Sequence, residues 1–136
     1  MANQPDLPAD RPEGGRLNAE ISRAVVRLLA ESTGRGPTQS RTTIDRDLIV
    51  VVLQNTLTPG ERYLAANGRS EQVLDMRAAY QEAMSSACIT AIEALTDRTV
   101  AAFMSANHID PDIAIESFML APQSDGHLPT AADTRD

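Results

Sequence analysis

The chain has no lysine and no tryptophan, one cysteine, and only two tyrosines and two phenylalanines in 136 residues. Aromatics at 3% leave few platforms for stacked bases, which argues against a single-stranded nucleic-acid binder. The formal charge of -7 likewise opposes a phosphate backbone as partner, so no nucleic acid is expected. All twelve basic residues are arginine, a trait of composition rather than a physical requirement. A lone Cys88 has no internal disulfide partner, which points to a reducing cytoplasm. Long apolar runs are missing too. The longest aliphatic run, Leu48 to Leu53, falls far short of the ~20 residues a spanning helix needs, so no direct membrane insertion is expected. Met1 to Glu13 carries Pro5, Pro8 and Pro12 without the basic and apolar blocks of a signal peptide. The expected location is cytoplasmic, peripheral to a membrane only through a protein partner.

What the chain does have is enough apolar material for one core: 42% hydrophobic and 23% charged residues, at a length that suits a single domain. The ends differ from the middle. Residues 1–15 and 122–136 are rich in proline, lack apolar periodicity and read as disordered tails around a single domain at 16–121. Each tail carries a net -2, leaving -3 on the folded part, a weakly acidic surface.

Arg16 to Thr33 reads as a first helix, with Leu17, Ile21, Val25 and Leu28 on one stripe. Arg16, Glu20, Arg23, Arg27 and Glu31 form an opposite, self-neutralising stripe of mixed sign. Gly34 supplies the helix stop. Ser40 to Asp45 is a short strand with Thr42 and Ile44 on one face and Arg41, Thr43 and Asp45 on the other. Leu48 to Gln54 is a second strand, apolar on both faces, hence central in the sheet. Helices cover only one face, so a second copy of the chain is expected on the other, making a homodimer.

Thr58-Pro59-Gly60-Glu61 is a capping box that starts a short helix to about Ala66. A longer helix follows from Ser70 to about Leu95, with Val73, Met76, Tyr80, Met84, Ala87, Ala91 and Leu95 along one side. Cys88, beside this stripe, reads as a small buried packing residue. Thr99 to Ser105 and Ile113 to Leu120 are the last two strands. Glu116 is the odd carboxylate on an otherwise apolar face, expected at a sheet edge or dimer rim where it would guard against aggregation. The order α-β-β-α-α-β-β gives an α+β fold: a four-stranded, mostly antiparallel sheet with helices packed on one face.

Gly34-Arg35-Gly36-Pro37, the run Asp47 to Leu53, Leu57-Thr58-Pro59-Gly60-Glu61, Leu95 to Val100, and Asp110 to Glu116 follow one another in an order and spacing that resemble the MpsC-like family. The resemblance covers about residues 16 to 121. It implies a small accessory or regulatory protein associated with a cation-translocating, membrane-potential-generating system linked to inorganic-carbon (bicarbonate) uptake. It offers no catalytic residues to carry over and no cofactor. Arg35 keeps a charge where many relatives carry lysine, whereas Thr38 does not.

Two motifs invite site readings. In the Gly34-Arg35-Gly36-Pro37 loop the two glycines would let backbone N–H groups approach an anion closely, with Arg35, Arg41 and Arg46 supplying charge. The same residues equally serve as a helix stop and turn. His108, Asp110 and Asp112 form a His-x-Asp-x-Asp run that offers too few rigid ligands for zinc unless His127 joined it, and that also suits a hairpin turn. No serine, and not Cys88, stands in the context of a nucleophile elbow or triad, so no enzyme is expected. Two readings stay open: a non-catalytic accessory of a membrane system, and a stand-alone homodimeric module for a small anion or phosphorylated ligand.

Overall fold

The computed structural model describes residues 12–123. The element order is α1 (Pro12–Thr33), β1 (Gln39–Asp45), β2 (Leu48–Gln54), α2 (Pro59–Ala66), α3 (Ser70–Thr96), β3 (Val100–His108) and β4 (Ile113–Leu120). The four strands form one fully antiparallel sheet in the order β1-β2-β4-β3, with α1 and α3 packed side by side on one face. Among the described residues no helix is long and apolar enough to cross a membrane.

Helix α1 begins at Pro12, four residues before the expected Arg16. Proline at a first helical position costs nothing, because its φ is preset and its missing N–H would be unpaired there anyway. The rest of the expected tails, up to residue 11 and from 124 onward, lies outside the described residues. On α1 the fully buried residues are Ile21, Val25 and Leu29, with Ala24 close behind; Leu17 and Leu28 are half-buried flanks. Gly34 ends the helix as expected, in the left-handed region at φ 84, its N–H bonded to Ala30 O at 2.8 Å.

The strand β2 is central, between β1 and β4, as its apolar run predicts. Its side chains alternate: Ile49, Val51 and Leu53 are fully buried under the helices, while Leu48, Val50 and Val52 are half-exposed on the far face. Strand β3 runs three residues past the expected Ser105, because Ala106 to His108 continue the register against Ile115 to Ile113. The β3–β4 turn is thereby shortened to Ile109 to Asp112, with a cis Asp110–Pro111 bond.

Two expectations need correcting. The inward stripe of α3 is Val73, Arg77, Gln81, Met84, Cys88 and Ile92, rotated away from the expected one; Met76 and Ala87 are exposed, and Tyr80 and Ala91 half-buried. Glu116 lies neither at a sheet edge nor at a rim. It is on central β4, 0% exposed beneath α3, paired in register with Val51 on one side and Ser105 on the other. Both corrections have one cause: Arg77 and Gln81 turn inward to partners on other elements, Arg77 to Glu61 and Thr56 and Gln81 to Glu116, although Arg77 Nη2 has no partner among the described residues. The apolar remainder packs around them, with the Phe103 and Phe118 rings 4.9 Å apart between centroids. Burying side chains of that size contributes roughly 1.5–3 kcal/mol each.

Candidate functional site

A polar seam crosses the interior where α2, α3, β3 and β4 meet. Arg77 and Gln81, one turn apart on α3, both point inward. The guanidinium of Arg77 is 1% exposed; its Nη1 donates to Glu61 Oε1 at 3.2 Å and to Thr56 O at 3.4 Å. The same Glu61 oxygen accepts the Thr58 N–H at 2.8 Å, and Glu61 N donates to Thr58 Oγ1 at 3.1 Å. The expected capping box of α2 is therefore present, and it doubles as the anchor for a buried ion pair. Taking away one member of such a pair strands the other charge, at a cost of about 3–5 kcal/mol.

One turn along, Gln81 and Asn107 exchange amide hydrogen bonds at 3.1 and 2.7 Å, and Gln81 Nε2 also donates to Glu116 Oε2 at 2.9 Å. The Ser105 hydroxyl donates to the other Glu116 oxygen. Burial pushes the Glu116 carboxyl above its ordinary range, while the bonds from Ser105 and Gln81 and the nearby Arg77 charge pull the other way. Burial, and secondarily the Glu116 carboxylate, pushes the Cys88 thiol up to about 12, which suits the expected packing role. An open groove of about 340 Å³ between α3 and β3, lined by Gln81, Ser85, Phe103 and Ser105 among others, leads down to the seam. At the foot of this shallow groove lies the Glu116 carboxyl, shifted upward by burial.

The seam went unseen in the sequence. Arg77 and Gln81 are ordinary surface residues by type, and Ser105 and Asn107 read as strand end and loop. The one available signal was Glu116, a carboxylate at an inward-facing strand position.

The four residues of the expected anion site are scattered. Arg35 and Gly36 sit at the α1–β1 loop, with Arg35 half-buried and its Nε among the buried nitrogens that lack a partner among the described residues. Arg41 is exposed in mid-β1 on the far face of the sheet. Arg46 occupies the β1–β2 turn at φ 59, the length of a seven-residue strand away from the loop, roughly 20 Å. Only Arg35 and Gly36 remain neighbours. Gly36 is not forced by packing, since an added Cβ would meet Ala30 and Val26 at 3.7 and 3.8 Å, ordinary contact.

The His108–Asp110–Asp112 run also diverges. The Asp112 carboxylate accepts Thr56 N–H at 3.0 Å, Thr56 Oγ1 at 3.1 Å and Leu57 N–H at 3.0 Å, with Arg62 at 3.6 Å, so it ties the turn to the β2–α2 loop. His108 Nδ1 lies 2.9 Å from Pro111 O, and Asp110 is exposed. Among the described residues no three His, Cys, Asp or Glu side chains are grouped to hold a metal ion. His127 lies outside them.

No curated protein and no solved structure matches the chain. One family model does, over residues 13–122, which is the whole helix–sheet unit just described. Its description reads "Na+-translocating membrane potential-generating system (MpsC)". With most of its length matched, the chain belongs to the MpsC family.

Proposed function

We propose that the chain is a non-catalytic accessory or regulatory component of a Na+-translocating, membrane-potential-generating system linked to bicarbonate uptake, acting in the cytoplasm as a homodimer. The family match over residues 13–122 carries this reading. Support for a non-catalytic role comes from the interior seam, where Gln81, Asn107, Ser105 and Glu116 hydrogen-bond to one another. Support for the homodimer comes from the far face of the sheet, where Met104, Ile115 and Met119 are 50%, 37% and 40% exposed beside half-exposed Val50 and Val52. With a second copy over that face, the helical layer of each copy remains available to a membrane subunit.

The test is purification of tagged protein from its own cells in gentle detergent. A stoichiometric integral-membrane subunit of a cation-translocating complex in the eluate supports the accessory role. Recovery of the dimer alone refutes it and favours the second reading, a small-anion module using the Arg35 and Gly36 loop. That reading draws on the partly buried Arg35, whose Nε has no partner among the described residues. A titration with bicarbonate and with phosphate examines it, since Arg35→Ala should abolish binding.

A further inference from the structure

The far face of the sheet forms a self-complementary pattern, visible once the strand register is known. Its central row across the four strands is Thr43, Val50, Ser117 and Met104. The row on one side is Asp45, Leu48, Met119 and Ala102; on the other side it is Arg41, Val52, Ile115 and Ala106. Apolar side chains dominate the two middle strands, with Ser117, whose hydroxyl donates to Met104 O, between them, and the only charges in the three rows are Asp45 and Arg41, both exposed on edge strand β1. Neither has an ion-pair partner among the described residues. Four residues along a strand separate their Cα atoms by roughly 13 Å, too far for them to pair with each other.

Resting on the homodimer reading above, we infer that two copies stack sheet against sheet about a two-fold axis that lies between the sheets, crosses the strands and runs along the Thr43–Met104 row. This operation sets β1 over the partner's β1 and exchanges the flanking rows. Asp45 then faces the partner's Arg41, Leu48 faces the partner's Val52, and Met119 faces the partner's Ile115. Two copies of one rim ion pair close the dimer at its β1 edge, and the aliphatic centre meets itself. The other in-plane two-fold axis, along the strands, would lay β1 over the partner's β3 and set Arg41 and Asp45 on alanines, leaving both charges half-desolvated and unpaired. Aligned sheets cross at about 30°, a rotation the long arginine side chain can absorb at the edge. A partner of different sequence would have to reproduce this symmetric arrangement; a second copy does so by construction. The footprint, roughly 19 by 23 Å from strand spacing and rise, is smaller than the ~800 Å² per partner of a standard interface. The dimer should therefore dissociate measurably in the micromolar range.

Sedimentation velocity of the full chain tests this. The wild type should dimerise at tens of micromolar. Val50→Glu, which sets two carboxylates against each other on the axis, should give a monomer, and Met104→Glu repeats the test at a half-exposed site should Val50→Glu fail to fold by far-UV circular dichroism. Arg41→Asp should weaken the dimer about tenfold, and adding Asp45→Arg to it should restore wild-type affinity within about threefold, because the swapped charges again face each other. A wild-type monomer overturns both the inference and the homodimer reading. A dimer indifferent to folded glutamate variants overturns the inference and leaves the homodimer standing. A swap no tighter than Arg41→Asp alone overturns the two-fold assigned here.

Discussion

A carboxyl group at the centre of a sheet and under a helix is pulled between losing its solvent and gaining hydrogen bonds. For Glu116 the loss of solvent dominates, and the carboxyl is shifted above its ordinary value of 4.5 despite Ser105, Gln81 and Arg77. The folded chain thus holds this proton more tightly than the unfolded chain does. The resulting stabilisation is complete below 4.5 and is lost as pH rises through the folded-state value. Glu116→Gln should flatten that part of the profile and be more stable than wild type on the alkaline side. Urea unfolding across a pH series reads this out, and an identical slope in both proteins would refute it. At this scale the sequence was readable wherever chemistry is local. Thr58 and Glu61 cap one helix turn three residues apart, and their pairing follows from spacing alone. The partners of Glu116 and Arg77 come from other elements, 11 to 35 residues away, so no local pattern announces them.

Among the elements, α3 shows best what patterning can and cannot reveal. Its existence and start at Ser70 follow from the run of helix formers, and its end is read to within about one residue. Its inward face is not readable, because two stripes compete and the buried one contains Arg77, Gln81 and Cys88. Periodicity rewards apolar side chains, and here two of the inward positions are polar. The C-terminus of α3 also breaks the usual chemistry. Asp97 sits in the left-handed region at φ 58 and places a carboxylate at the negative end of the helix dipole. Asp97→Gly should stabilise the chain by about 1 kcal/mol, raising Tm by roughly 4 °C. Asp97→Ala, which removes the charge but keeps the backbone strain, should gain less. Calorimetry on the pair separates the two contributions, and a gain for alanine as large as for glycine would refute the strain argument.

For the whole molecule, the helix–sheet contact is the structure's main seal, and Cys88 lies within it at 0% exposure. Because burial holds its thiol at about 12, reaction with a bulky thiol reagent has to wait for α3 to leave the sheet. Labelling should be negligible in native buffer and should accelerate with denaturant in step with the loss of helical signal. Fast labelling of the native chain would mean that α3 opens locally. Among the described residues no helix covers the other side of the sheet. Hairpin register sets Arg41 and Asp45 on the same edge of that face, and dimerisation is the expected use of it.

Local physics carried most of the architecture: the order of elements, the α2 cap, the Gly34 stop, the central place of β2 and the burial of Cys88 all follow from residue types and spacings within a few turns of chain. Order and spacing of short motifs were also enough to indicate the family. Tertiary structure alone decided the strand order β1-β2-β4-β3, the depth of Glu116, the face that α3 turns inward and the scattering of Arg35, Arg41 and Arg46. Each of these depends on contacts between segments far apart in the chain. There a buried polar group is stable only if another segment brings its partner, and a single sequence read along its length does not register that arrival.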